Sequence, residues 1–163
     1  MKRAILLCLL TVGAISCQKD IKMKNIAESE ILIKQDSCYC FLPNAFSPDN
    51  NANNDILIPL TKGVLADGYT FTVRDKKQKI LFTTSTQGEG WIGDNLPVGI
   101  YIATVSGTFK CGDSFEKHTC VNLIKGCIGK DLDEVQLIFG NMFDVDIGEI
   151  PERPFPSNEK KCD

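Results

Sequence analysis

Between Cys38 and Lys125 the apolar residues recur with a period of two, and no helical period interrupts them. Tyr69-Thr-Phe71-Thr-Val73-Arg74 alternates apolar with polar. Ile80-Leu-Phe82-Thr-Thr84 is short and rich in strand formers. Gly99-Ile-Tyr-Ile-Ala-Thr-Val105 is longer, and Phe115 to Ile124 reads as its return arm. Turn signals separate these runs at Ala66-Asp67-Gly68, Asp75 to Gln78, Gly88-Glu-Gly90, Leu96-Pro97-Val98-Gly99 and Gly112-Asp113. Strands at such close intervals leave no room for the crossover helices that a parallel sheet needs. The expected fold is all-β, an antiparallel sandwich of two sheets.

Composition sets the outer limits. The 163 residues suffice for one domain with tails, and 43% apolar with 24% charged residues excludes a disordered chain, a collagen and a polytopic membrane protein. The net charge is −3, and no basic block is present, which argues against nucleic acid as a partner. A single histidine, His118, argues against a His-built metal site and, lying mid-strand without a companion, against acid–base catalysis. No Gly-x-Ser-x-Gly, His-Glu-x-x-His or phosphate loop occurs, so the chain reads as non-enzymatic.

The N-terminus reads as an address. Met1-Lys2-Arg3 is basic, and Ala4 to Ser16 is an apolar run too short to span a bilayer, which takes about 20 residues. It ends Ala14-Ile15-Ser16-Cys17, which resembles a bacterial lipobox, with Ala14 in place of the usual Leu. Cys17 would then be lipidated and become the first residue of the mature protein. The rival is a plain secretory signal with Cys17 as an ordinary thiol. Loss of Lys2 and Arg3 leaves a net charge of −5 (16 basic against 21 acidic residues). Each buried acyl methylene contributes about 0.8 kcal/mol, so several chains hold a protein firmly on a membrane. Residues 17–37 read as a tether, with a short helix or first strand near Ile31–Lys34. Gln18-Lys19-Asp20 resembles the polar patch that sends lipoproteins to the surface of gliding bacteria, so the expected location is the cell envelope, on the outer membrane and surface-exposed.

Cys8 leaves with the signal, and six cysteines remain beside Cys17: Cys38, Cys40, Cys111, Cys120, Cys127 and Cys162. An even count in an exported chain reads as structural disulfides. Zinc is the rival, but Cys38-x-Cys40 is tighter than a zinc knuckle and no second close pair exists. The expected bonds tie Cys38 or Cys40 to one of Cys111, Cys120 and Cys127, with Cys162 pinning the tail. A hairpin turn at Gly112-Asp113 would put Cys111 opposite Ser114, disfavouring a bond from Cys111 to Cys120.

Pro43-Asn44-Ala45-Phe46-Ser47-Pro48, followed by Asp49 to Asp55, resembles the opening of the gliding-motility-associated C-terminal domain, also called the type B sorting domain of the type IX secretion system. That family begins Pro-Asn-Ala-Phe-Thr-Pro-Asn-Gly-Asp-Gly-x-Asn-Asp. Later landmarks follow in order: the hairpin of Tyr69 to Phe82, Gly90-Trp91-x-Gly93, Leu96-Pro97-x-Gly99-x-Tyr101, and Asn122-Leu123-Ile124-Lys125. The resemblance covers about residues 40–126 and implies an immunoglobulin-like sandwich of about seven strands. The chain departs from the family at Lys76-Lys77-Gln78, at Ile92, and at Asn50 and Ala52 of the first loop. It also continues for about 37 residues past the point where the family domain normally ends. The implied organisation is a signal at 1–16, a tether at 17–37, a sandwich at 38–126 and a short α/coil extension at 127–163. In the extension, Asp131-Leu-Asp-Glu134 opens like a capped helix and Pro151 to Pro156 reads as an extended linker.

Two features suggest ligands. Asp49, Asn51, Asn53 and Asp55 fall at alternate positions, as calcium ligands do in a tight loop, although ordinary Asx turn chemistry explains the same residues. Trp91 reads as a packing residue plugging one end of the sandwich, or as a stacking platform for sugar. The expected function is therefore a non-enzymatic envelope lipoprotein carrying an interaction or accessory module for adhesion, gliding or type IX secretion. The alternatives are a glycan-binding surface lipoprotein, using Trp91 and the tyrosines, and a type IX secretion client. The implied partners are the membrane, through the lipid, and an envelope protein or glycan; calcium is the one candidate cofactor.

Overall fold

The computed structural model describes residues 32–35, 38–51 and 54–126, the first four as backbone. The described chain is all-β, in two sheets. The smaller holds β1 (Leu32–Gln35), β2 (Cys38–Phe41) and β4 (Leu60–Lys62), in the order β1-β2-β4. The larger holds β3 (Ala45–Phe46), β5 (Thr70–Arg74), β6 (Ile80–Thr84), β7 (Gly99–Thr108) and β8 (Ser114–Leu123), in the order β3-β8-β7-β5-β6. A β-sandwich is thus what the alternating pattern builds. The helix and linker expected within 127–163 lie outside the described residues, as do the signal and most of the tether.

Four of the expected strands stand within a residue or two of their sequence positions; β7 runs three residues further, to Thr108. Near Ile31–Lys34 the chain forms a strand, β1. Two features depart from expectation. The β3–β8 pair is parallel, with Ala45 opposite Asn122 and Phe46 opposite Leu123, so the larger sheet is not purely antiparallel. The β7–β8 hairpin pairs Thr108 with Ser114 and spans Phe109 to Asp113 in its loop. Cys111 therefore sits at the loop tip and not opposite Ser114. The five-residue loop closes with Phe109 N–H donating to the Asp113 carbonyl at 2.8 Å and Gly112 N–H to the Phe109 carbonyl at 2.9 Å.

Period two puts alternate residues of each strand into the space between the sheets. Phe71 and Val73 of β5, Tyr101, Ala103 and Val105 of β7, and Val121 and Leu123 of β8 all face it. From the smaller sheet come Cys38 and Cys40. The ends are closed by residues outside the strands: Leu42, Leu57, Val64, Tyr69, Trp91 and Phe109. Phe109 stacks on Phe115 with centroids 4.5 Å apart, and Phe71 meets Phe82 edge-on at 5.7 Å. The opposite side of β2 is also covered. Tyr39 and Phe41 are buried there, with Leu60 packed against them.

Candidate functional sites

The motif at Pro43 begins where the chain leaves β2. Asn44 accepts at its carbonyl from Asn122 N–H at 2.8 Å and from Asn122 Nδ2 at 3.3 Å, which docks the motif on β8. Phe46 then enters the core, and its carbonyl accepts from Ile124 N–H at 3.0 Å. Only after this anchor does the loop begin. Its neck is closed by Ser47 N–H donating to the Asn54 carbonyl at 2.8 Å.

Inside that loop the acidic groups face backbone donors. Asp55 Oδ1 accepts from Asp49 N–H at 2.9 Å and from Asn50 N–H at 2.7 Å. Asp49 Oδ1 accepts from Asn51 N–H at 3.2 Å, and Asp49 Oδ2 from Asn51 Nδ2 at 3.2 Å. Asn50 and Asn54 hold φ of 62° and 48°, the left-handed region that asparagine tolerates better than most residues. The arrangement is turn chemistry: carboxylates satisfying the N–H groups of a tight loop. Of the four residues offered for calcium, Asp49, Asn51 and Asp55 come together here, while Asn53 lies outside the described residues.

Trp91 is an interior residue. It is 5% exposed, with its ring 5.1 Å from Phe46 and 5.0 Å from Tyr101, centroid to centroid. Its backbone pairs with Leu57 through two 2.9 Å hydrogen bonds, N–H to carbonyl in each direction. This corrects the sugar-platform reading, because a stacking platform needs an open ring face. Tyr39, Tyr69 and Tyr101 are buried too, which removes the other rings on which glycan binding was to rest. Gly93 is explained by the same packing: a Cβ there would lie 2.5 Å from Leu123 Cδ1 and 2.9 Å from Phe46 Cζ, and its φ is +64°.

Two ties that the sequence did not reveal fix the turn before β7. Tyr101 Oη donates to the Pro97 carbonyl at 2.7 Å, and Lys125 Nζ donates to the Leu96 carbonyl at 2.9 Å. The first has the form of a tyrosine corner, in which a strand tyrosine bonds the backbone a few residues upstream. Burial raises the Tyr101 phenol above its ordinary value, and the nearby Asp75 charge adds to this.

The cysteines divide by location. Cys120 points outward from β8, opposite Ile102, and is disulfide-bonded. Cys127 and Cys162 themselves lie outside the described residues, as does Cys17. Cys40 is a fully buried thiol. Burial pushes that thiol up to about 12, with the Lys117 charge pulling weakly the other way. Cys38 is buried beside it in the core, and its Sγ lies 4.0 Å from the Gly63 carbonyl.

His118 lies on the outward face of β8. Its Nε2 is 2.6 Å from Glu116 Oε1, and its Nδ1 is 3.0 Å from Thr104 Oγ1 on β7, the residue opposite it in register. Both flanking contacts follow from strand geometry, i to i+2 on one face and directly across the ladder. The group is half open to water, where such contacts are weakened by hydration.

No protein-family model matches the chain, and no curated protein matches it.

Proposed function

We propose that the protein is a non-enzymatic lipoprotein of the bacterial cell envelope whose β-sandwich serves as an interaction or accessory module. The observation that carries this reading is the run Met1 to Cys17: a basic start, an apolar stretch of signal length and a lipobox-like end ahead of a β-sandwich. Acyl chains on Cys17 would hold the sandwich at a membrane surface, with residues 18–31 as spacer, since the expected tether of 17–37 gives up Leu32–Gln35 to the smaller sheet as β1. The motif from Pro43 to Asp55 and its resemblance to the type B sorting domain favour a gliding or type IX secretion context for the partner.

The order of binding groups also bears on the choice among roles. The aromatic rings are used in packing, which leaves the glycan alternative without the platforms it invoked. Among the described residues, the solvent-facing surface carries charged and polar side chains together with the exposed apolar residues Ile56, Leu65, Ile80, Ile92 and Val98. That surface suits contact with another protein better than stacking on sugar.

The test is localisation of the full-length chain and its Cys17→Ala variant. Membrane fractionation with external protease should find the native protein in the membrane fraction, and digested in intact cells if it is on the surface. The variant should leave the membrane. Equal distribution of both forms would end the lipoprotein reading.

A further inference from the structure

We propose that Cys38 and Cys111 are joined by a disulfide that staples the smaller sheet to the tip of the β7–β8 hairpin. The strand registers set Cys38 and Lys110, the neighbour of Cys111, on the two sides of Gly63. Tyr39 pairs with Lys62, so Cys38 stands beside Gly63. Val64 pairs with Phe109, so Gly63 stands beside Lys110 on its other side. The Gly63 carbonyl records both neighbours. It accepts from Lys110 N–H at 2.7 Å and lies 4.0 Å from Cys38 Sγ. Gly63 itself holds φ of +67°, at the corner where the chain passes from β4 toward the larger sheet.

The side chains converge as well. Phe109 points into the core and Lys110 is exposed, and the turn that follows leaves Cys111 partly buried. Cys111 packs against the same core cluster that contains Cys38. The other described cysteines are accounted for. Cys120 faces outward and is already bonded. Cys40 lies two residues further into the sandwich, within the field of Lys117, and its raised thiol pKa keeps it protonated and unreactive. Cys111, half-exposed at the loop tip, is the sulfur an oxidant reaches first.

The chemistry is ordinary thiol–disulfide exchange. The Cys111 thiolate attacks a small disulfide such as oxidised glutathione, forming a mixed disulfide and releasing one glutathione. The Cys38 thiolate then attacks the Cys111 sulfur and releases the second glutathione. Two protons and two electrons pass from the cysteine pair to the oxidant, and one S–S bond is made as one is broken.

The experiment uses the full-length chain carrying Cys40→Ala, so that the peptide bearing Cys38 has one sulfur. The protein is reduced, refolded with oxidised and reduced glutathione, alkylated, cut with trypsin and weighed. Trypsin leaves Cys38 in peptide 35–62 and Cys111 in peptide 111–117. The expected result is that these two appear as one linked species, two hydrogens lighter than their sum, and that reduction separates them. Cys111→Ser should abolish the species while leaving Cys120 linked. Alkylation of both Cys38 and Cys111 in the folded protein, or a link from Cys111 to any other cysteine, overturns the proposal. Because the readout is sulfur pairing in purified protein, it is independent of whether Cys17 is lipidated.

Discussion

Tyr101 Oη donates to the Pro97 carbonyl at 2.7 Å, so the first inward-facing ring of β7 also fixes the turn that delivers the strand. The hydroxyl sits at the core edge, where a lost partner is not fully replaced by water. Tyr101→Phe should lower stability by about 1 kcal/mol. For a domain of this size that is a fall of about 4–8 °C in Tm, with the β-sheet circular dichroism unchanged.

Trp91 is wedged between Phe46 and Tyr101, and nothing of its size can replace it. Trp91→Ala should cost about 3–5 kcal/mol in urea unfolding, through lost burial and the cavity left behind. Trp91→Phe should cost clearly less. A tryptophan used mainly on the surface would give nearly equal, small effects for both.

Gly93 and Gly88 separate packing from backbone strain. Both have positive φ, but a Cβ at Gly88 meets nothing within 4 Å, whereas one at Gly93 strikes Leu123 and Phe46. Gly88→Ala should cost about 1 kcal/mol, the left-handed backbone term alone. Gly93→Ala should add an overpacking cost of about 1–3 kcal/mol. Equal destabilisation of the two variants by thermal melting would show that the close approach at Gly93 is not real.

These contrasts mark how far the sequence could be read. The strands β5 to β8 were legible because they are amphipathic, and their period of two writes itself into the order of residues. β3 and β4 were not. Each is two or three residues long, and Ala45–Phe46 owes its pairing to a parallel neighbour 77 residues away rather than to any local pattern. Trp91 was legible as a plug because flanking glycines permit close packing. The Tyr101–Pro97 bond was not, since a tyrosine at a strand start has the same letters whether or not its hydroxyl finds a carbonyl. In the Asp49–Asp55 loop the residue types admitted both a cation and a turn. The hydrogen bonds from Asp49, Asn50 and Asn51 N–H display the turn chemistry in place.

That loop gives a further prediction. Asp55→Ala removes the acceptor for two backbone N–H groups at the surface and should cost about 1 kcal/mol. If turn chemistry is the whole role of these groups, several millimolar calcium will leave the melting temperature of both forms unchanged. A calcium-dependent rise in the native protein that is lost in Asp55→Ala would restore the cation reading.

The buried Cys40 thiol sets an alkaline limit. Its pKa in the folded protein is raised from 9.0 to about 12, so below pH 9 both folded and unfolded chains keep the proton and the group has no effect on the pH dependence. Above pH 9 only the unfolded chain ionises. The stability held by the neutral buried thiol is therefore lost as pH climbs from about 9 toward 12, with a slope approaching about 1.4 kcal/mol per pH unit. Denaturant titrations across that window should show the decline, and Cys40→Ala should make it shallower, with the Tyr69 and Tyr101 phenols, also raised by burial, supplying the rest above about pH 10. An unchanged slope in the variant would mean that Cys40 titrates normally.

The most direct test of the proposed role is the intact mass of the protein extracted from cell membranes with detergent. A lipid-moored sandwich begins at Cys17, lacks residues 1–16 and carries the added mass of acyl chains on that cysteine. A protein that retains Met1, or that is cleaved and bears no lipid, contradicts it.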